Sequence, residues 1–157
     1  MRLWHYEMLP YIPKSQLIAQ WRELNSIFKN KPKHILINYV YEYEDDNLRI
    51  YMLMVAKEMI KRGIKINSRS TNNVFDYFPE YKENPNLLLQ HINDIEWVQS
   101  VTGIDNPFPK HHTIRYLKQC YYNLQEKYDR GQKDFYDYHY EYLSKFYVDK
   151  LRSVKND

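Results

Sequence analysis

The scarcity of glycine constrains the fold of this chain more than any other feature of its sequence. Only three glycines, Gly63, Gly103 and Gly131, occur among the 157 residues. Short strands joined by tight turns commonly need glycine, because it adopts positive φ angles at little cost. So few turn residues argue against a β-sandwich or a β-barrel. We therefore predict a mainly α-helical fold: a single domain over residues 1–157, with about four to five helices and an extended N-terminal arm.

The aromatic content is compatible with such a bundle. The chain contains 17 tyrosines, and aromatic residues make up 17% of it. A tyrosine can bury its ring while its hydroxyl stays in water, so a tyrosine-rich helical protein can be polar on average and still well packed. The formal net charge is +3. This weakly basic balance permits nucleic-acid binding without requiring it.

The number of cysteines and the hydropathy of the sequence indicate in which cellular compartment the protein is expected. Cys120 is the single cysteine, so no intrachain disulfide can form. Residues 1–14 lack the continuous apolar segment of a signal peptide. No stretch approaches the roughly 18 apolar residues of a membrane span. We expect a cytoplasmic protein that does not bind membranes.

Apolar spacing, together with residues that start and stop helices, predicts five helices. The first runs from Lys14 to about Phe28, directly after Pro13, and follows an arm of twelve residues. A second is capped by Asp45 or Asp46 and ends at Gly63. The others are predicted over residues 84–102, 110–130 and 134–154, and the last of these carries Tyr138 and Tyr142 among its packing residues.

Three intervening segments are predicted to be non-helical. Residues 34–43 are rich in β-branched and aromatic side chains, which suits a short strand or a buried extended segment. Residues 67–73 are predicted as a polar loop, and residues 75–81 as irregular.

Common catalytic signatures are absent from the sequence. Three glycines leave no room for a glycine-rich phosphate loop, and one cysteine cannot form a cysteine metal site. Adjacent helical residues point about 100° apart, so His111 and His112 do not readily share a metal ion. We expect this pair to be a solvated helix start. Cys120 falls near an apolar stripe and is predicted to be a core residue.

The first helix carries the most informative pattern. Gln16, Gln20 and Glu23 fall on one polar face, one turn apart. In the same helix, Trp21-Arg22-Glu23-Leu24 stands at a distance from Met1 that resembles the pyrimidine-dimer DNA glycosylases of the endonuclease V type. Phe28, the ending Lys61-Arg62-Gly63, the segment Leu124–Lys127 and an aromatic C-terminal region also resemble this family.

The resemblance implies a three-helix core and a reaction without a cofactor. Members of the family flip a nucleotide out of damaged duplex DNA. The α-amino group of the chain then attacks the sugar carbon C1′, displaces the base and forms an imine, and β-elimination breaks the strand. Carried over, the acid that assists the proton transfers is Glu23, and Arg22 would hold a phosphate or the flipped sugar. An α-amine is less basic than a lysine amine, so a useful fraction is neutral at physiological pH.

Several positions depart from the family pattern. Arg2 replaces the threonine that follows the initiator methionine, and its bulk should prevent removal of Met1. The reactive amine would then belong to Met1. Gln16 replaces a histidine, Ser26 an arginine and Asn123 a basic residue, so DNA affinity should be weaker.

We therefore predict Met1 and Glu23 as catalytic residues. The predicted DNA-binding residues are Arg2, Gln16, Arg22, Lys33, His34 and Lys127. The expected partner is damaged double-stranded DNA, and the expected state is a monomer.

Some interpretations stay open on the sequence alone. The chain could be a nucleic-acid-binding relative without lyase chemistry, or an interaction protein that uses a tyrosine-rich surface. His34 could instead be a hydrogen-bonded structural residue. The segment Trp4-His5-Tyr6 could either pack on the helices or form a pocket wall that stacks on a base.

Overall fold

The computed structural model describes residues 1–155, and helices make up most of that range. The α-helices are α1 (Lys14–Asn30), α2 (Asp45–Lys61), α3 (Ser68–Tyr77), α4 (Pro79–Glu83), α5 (Pro85–Asn93), α6 (Ile95–Thr102), α7 (Ile114–Asp129) and α8 (Asp137–Lys155). Two 3₁₀ helices span Tyr6–Tyr11 and Asn38–Glu42. No β-strand occurs in residues 1–155, so the mainly α-helical prediction is confirmed.

Helix α2 lies at the centre of the molecule. Leucine, isoleucine, methionine and valine side chains cover most of its circumference, and nine of its residues are buried. A helix that is apolar on nearly all sides must be enclosed by others, and α2 contacts α1, α5, α6 and the first 3₁₀ helix. One hydrophobic core includes residues from every α-helix. Within residues 1–155, no helix is long and apolar enough to cross a membrane.

The five predicted helical regions all exist, but the prediction of four to five helices is too low. The segment 67–81, predicted as a loop and an irregular stretch, is helical. The Asn67 side chain accepts the Ser70 amide at 2.8 Å and so starts α3, and Pro79 starts α4. The predicted helix 84–102 is divided at Asp94, whose side chain accepts the Trp97 amide and caps α6.

The end of α2 was predicted correctly, but its start was not. Gly63 follows the helix with φ +73, a left-handed conformation that glycine adopts at little cost. The residue that precedes α2 is Glu44, and it makes no side-chain cap. Asp45 and Asp46 lie instead in the first turn, where their negative charges interact favourably with the positive end of the helix dipole.

The prediction of a strand or extended segment over residues 34–43 is wrong. The His34 carbonyl accepts the amides of Ile37 and Asn38 at 2.9 and 2.8 Å, which closes a turn that continues into the second 3₁₀ helix. A strand needs a neighbouring strand to satisfy its backbone. Helices surround this segment, so its amides are satisfied locally.

The N-terminal arm is only partly extended. Residues 1–5 are irregular, and the remainder of the arm forms the first 3₁₀ helix. The Arg62 guanidinium donates to the carbonyl oxygens of Leu9, Pro10 and Ile12 at 3.2, 2.9 and 2.8 Å. These contacts fix the arm against the end of α2.

The two C-terminal helices begin later than predicted. Thr113 caps α7 through the Tyr116 amide, so residues 110–113 precede the helix. Helix α8 begins at Asp137, and the side chains that meet the core differ from those predicted. Leu143 and Tyr147 are buried, whereas Tyr138 and Tyr142, predicted as packing residues, are exposed.

Candidate active site

A small cleft lies between the N-terminal arm, the first half of α1 and the second half of α7. Its volume is about 170 Å³. The residues that line it are Met1, Arg2, Trp4, Gln16, Ala19, Gln20, Glu23, Asn123 and Lys127. The cleft therefore brings together the start of the chain and one face of α1, as the sequence pattern predicted. Both predicted catalytic residues are among its walls.

The spacing of polar residues on α1 creates one wall. Gln16, Ala19, Gln20 and Glu23 are separated by three or four residues, so they share one face of the helix. The adjacent face carries Leu17, Leu24 and Phe28, which are buried in the core. This amphipathic pattern turns the polar face toward the arm.

The Gln20 side chain holds the arm in place. Its Nε2 donates to the Arg2 carbonyl at 3.0 Å, and its Oε1 accepts the Trp4 amide at 2.7 Å. The side chain thus pairs with the backbone on both sides of Leu3. Gln20 is 1% exposed, so both bonds are shielded from water. Because Met1 directly precedes this paired segment, Gln20 limits where the chain terminus can lie.

Two tyrosines from other helices form hydrogen bonds with the backbone of the arm. The Tyr51 hydroxyl on α2 lies 2.7 Å from the Trp4 carbonyl and 2.9 Å from Gln20 Oε1. The Tyr116 hydroxyl on α7 donates to the Leu3 carbonyl at 2.6 Å. Burial raises the pKa of Tyr51 and of Tyr116, so both hydroxyls stay protonated and can donate. The arm is therefore tied to three helices.

Glu23 presents a carboxylate oxygen that nothing in residues 1–155 satisfies. Its Oε2 is buried and accepts no hydrogen bond from the described part of the chain. Buried carboxylates normally have partners, so such an oxygen needs an explanation. Glu23 lines the cleft together with Met1, so its carboxylate group lies beside the space that a ligand would occupy there.

Two cationic side chains, Arg2 and Lys127, line the cleft together with this acid. The Arg2 guanidinium lies 5.5 Å from the centre of the Trp4 ring, which holds it by a cation–π contact. Lys127 lies on α7 one turn after Asn123, and both line the cleft. Gln16 Nε2 donates to Gln132 Oε1 at 3.3 Å, so it closes the cleft on the side of the α7–α8 connection.

Three predicted DNA-binding residues lie outside the cleft. Arg22 is exposed on the neighbouring face of α1, and Lys33 is exposed in the connection between α1 and α2. His34 accepts the Leu36 amide on Nδ1 at 3.2 Å, and its own amide donates to Asn38 Oδ1 at 2.7 Å. His34 therefore has the structural role that the sequence left open. Contacts of these residues with DNA stay a prediction.

The prediction of a solvated helix start at His111 and His112 is wrong. His112 is buried under the arm and its Nδ1 accepts the Tyr6 amide at 3.1 Å. The ring stacks on His5, with centroids 5.3 Å apart. Burial lowers the pKa of His5 to about 4 and that of His112 well below its usual value, so both rings are neutral near pH 7. The adjacent His111 contacts Tyr43 instead.

Cys120 completes this buried layer. It is fully buried, as predicted, and burial raises the pKa of its thiol. A thiol that stays protonated is a poor nucleophile, so its role is packing.

Two larger pockets lack the same chemistry. One of about 440 Å³ includes Tyr11, Tyr136 and Tyr142, but its Arg62 is occupied by backbone carbonyls. Another of about 580 Å³ is an apolar groove beside α5. In contrast, the cleft at Met1 combines a chain terminus with a carboxylate oxygen that lacks a partner within the described range.

Comparison with known families gives one match. Residues 1–72 match the family model described as pyrimidine dimer DNA glycosylase. This match covers 72 of the 157 residues and supports the resemblance to that family. The matched segment contains the arm, α1 and α2, and it contributes Met1, Gln20 and Glu23 to the cleft. No curated protein and no solved structure matches the chain.

Two tyrosines that hold the arm beside the cleft were not identified from the sequence. Tyr51 and Tyr116 are two of 17 tyrosines, and no local pattern distinguishes them. Lys127 was predicted as a DNA-binding residue and Asn123 was identified as the replacement of a basic residue, but both lie outside residues 1–72, and only folding brings them to the same cleft as Glu23. Gln20 was recognised as part of the polar face, but its bonds to the arm depend on tertiary structure.

Proposed function

We propose that this protein is a DNA N-glycosylase with an associated lyase activity, which acts through the Met1 amine. The observation that carries the proposal is that Glu23, whose Oε2 has no hydrogen-bond partner in residues 1–155, lines the same cleft as Met1. The family of residues 1–72 supports a glycosylase of the pyrimidine-dimer type. Damaged duplex DNA is the substrate that follows from this family.

The cleft size suggests which part of the substrate enters. Its 170 Å³ is below the roughly 300 Å³ at which typical ligand pockets begin. A deoxyribose fits such a volume, whereas a whole pyrimidine dimer does not. The sugar carbon C1′ would therefore approach Met1 inside the cleft, and the damaged bases would remain at its mouth.

In the proposed reaction, a bond between C1′ and the Met1 nitrogen replaces the bond between C1′ and the base. The neutral amine of Met1 forms a bond to C1′, and the bond from C1′ to the base breaks with its electron pair leaving on the base. Opening of the sugar ring gives an imine between Met1 and C1′. Loss of a proton from C2′ then expels the 3′ phosphate and cuts the strand.

Glu23 suits two of these steps. Its carboxylate can stabilise positive charge that develops on the sugar, because an unsatisfied oxygen in a partly buried site interacts strongly with a nearby cation. It can also accept the proton lost from C2′ as a general base. Arg2 and Lys127 provide positive charge for the flanking phosphates.

Borohydride trapping on an abasic duplex tests the proposal. Reduction of the imine should link the chain covalently to DNA, and mass spectrometry of the adduct should locate it at Met1. Glu23→Gln should lower the cleavage rate by roughly 10²–10⁴-fold. Glu96→Gln, an exposed acid on α6, serves as the matched control and should react normally.

Lys127, a second amine that lines the cleft, provides a check on which amine is the nucleophile. An adduct at Lys127 instead of Met1 would contradict the assignment of the nucleophile. A chain extended before Met1 should lose trapping, because additional residues displace the amine from the cleft.

The alternative is a nucleic-acid-binding relative without lyase chemistry. It is favoured by the replacement of basic residues at Gln16, Ser26 and Asn123, and salt-dependent binding without any adduct would support it.

A further inference from the structure

An exposed hydrophobic turn lies between α1 and the second 3₁₀ helix. Ile35 is 85% exposed, more than any other large hydrophobic residue in the described part of the chain, and Leu36 beside it is 41% exposed. Single apolar residues on a surface need no explanation by themselves. Here, however, the two follow one another at the tip of a turn, so they form a small apolar projection.

The turn is held by bonds on both sides of these residues. The His34 carbonyl accepts the Ile37 and Asn38 amides, and the Asn38 side chain accepts the His34 amide at 2.7 Å. Ile37 is fully buried and anchors the turn in the core. The Tyr41 hydroxyl donates to the Pro32 carbonyl at 2.7 Å. The projection is therefore presented by a fixed backbone, so holding it outward costs little further entropy.

This projection is continuous with the proposed active site. Leu36 and Arg2 line one surface depression of about 490 Å³, together with Tyr116, Tyr122 and Asn123. Arg2 and Asn123 also line the cleft at Met1. A duplex that places a sugar in the cleft would therefore also pass the turn.

Charge around the turn suits a polyanion. Lys29, Lys31 and Lys33 are exposed immediately before it, and Arg2 lies in the depression on its other side. The acidic lining residue, Glu126, pairs with Arg130 at 3.3 Å. Positive side chains that flank an apolar tip match a phosphate backbone that flanks a base stack.

We propose that Ile35, supported by Leu36, is a wedge that enters the base stack beside the lesion when the damaged nucleotide leaves it. This rests on the proposed function, since a sugar can enter the cleft only if its nucleotide is extruded from the duplex. Extrusion leaves a gap, and apolar side chains are known to enter unstacked base steps in other DNA-binding proteins. Ile35 fills the gap and opposes return of the nucleotide.

The decisive experiment compares a duplex whose bases are stacked at the lesion with one whose bases are already unstacked there. Ile35→Ser removes the apolar tip, and Ile35→Met keeps an apolar side chain of similar length. Val101→Ser changes another hydrophobic residue, 65% exposed at the end of α6, and is the matched control. Single-turnover excision is measured on a dimer in a paired duplex and on the same dimer opposite a bulge that is already unstacked.

We expect Ile35→Ser to lower the excision rate at least about tenfold on the paired duplex. Unstacking a base step costs a few kcal/mol, whereas a tenfold change in rate corresponds to only about 1.4 kcal/mol. On the bulged duplex the loss should largely disappear. Ile35→Met and Val101→Ser should behave as the unchanged protein on both. Equal rates for Ile35→Ser and the unchanged protein on the paired duplex would overturn the proposal, as would an equal loss on both duplexes.

A binding readout separates this proposal from the proposed function. A 2-aminopurine next to an abasic site should become more fluorescent when the unchanged protein binds, and less so with Ile35→Ser. If the protein excises nothing yet gives this difference, the proposed chemistry fails and the wedge stands. If excision proceeds through Met1 but the fluorescence is the same for both proteins, the wedge fails alone. Binding of a protein partner at Ile35 without this fluorescence change would also contradict it.

Discussion

Replacement of Gln20 by leucine tests whether the arm is held by its side chain. Leucine has a similar size, so the change removes hydrogen bonds with little change in packed volume. The bonds lost are those to the Arg2 carbonyl and the Trp4 amide, at 3.0 and 2.7 Å. The Tyr51 hydroxyl keeps its alternative acceptor, the Trp4 carbonyl at 2.7 Å. The perturbation is therefore confined to the arm.

The energetic cost follows from what becomes unsatisfied. The Trp4 amide lies under a side chain that is 4% exposed, and a buried donor without an acceptor costs about 1–3 kcal/mol. The Arg2 carbonyl is nearer to water and loses about 1 kcal/mol. We expect the free energy of unfolding to fall by about 2–4 kcal/mol. For a chain of this size, that lowers the melting temperature by roughly 5–12 °C.

The functional cost should exceed the cost in stability. A nucleophile displaced by an ångström can lose about 100-fold in rate, and the arm sets the position of Met1. Differential scanning calorimetry measures the stability, and borohydride trapping on an abasic duplex measures the reaction, both well below the melting temperature.

A second substitution controls for the general effect of losing a glutamine. Gln16 lies one turn earlier on the same face, is half-buried, and makes a single longer bond of 3.3 Å to Gln132. Gln16→Leu should cost less than about 1 kcal/mol. If Gln20→Leu melts no lower than Gln16→Leu and traps at the unchanged rate, the arm is not held by Gln20 and the reasoning fails.

Three further outcomes follow from the structure. The unfolded chain protonates His5 and His112 below about pH 6.5 while the folded chain does not, so stability should fall as pH drops from 7 to 5, with His5 alone contributing up to about 3 kcal/mol near pH 4; urea unfolding that is flat over this range would contradict it. Gly63→Ala should cost about 1–2 kcal/mol, because φ is +73 and no neighbouring atom opposes a Cβ, so backbone strain is the whole effect; an unchanged melting temperature would refute this. Leu53→Ala in α2 should cost about 2–5 kcal/mol, since the side chain is fully buried, and urea unfolding should show it with an unchanged slope.

Local sequence determined much of the secondary structure. Apolar spacing identified α1, because a helix with one buried face repeats its apolar residues every three or four positions. Gly63 marked the end of α2 correctly for a local steric reason. The segment 67–81 was mistaken for a loop because its residues are polar. An asparagine cap and packing against α1 make it helical nonetheless.

The candidate site divides in the same way. Glu23 and Gln16 could be placed on one helix face from their spacing alone, and the distance from Met1 indicated the family. Whether the chain terminus reaches that face depends on contacts between residues far apart in the sequence, such as Tyr116 with Leu3. No periodicity encodes such a contact, since it exists only after α7 packs beside the arm.

The sequence by itself determined that the chain is helical, where its main helices end, and that an acid and two amides face the same way on α1. Tertiary structure decided that the arm lies across this face, that Lys127 joins it from α7, and that His112 is buried beneath it. The physical reason is the range of the forces involved. Helix formation depends on residues within a few positions of each other, whereas the cleft is made by packing and hydrogen bonds between segments more than 100 residues apart.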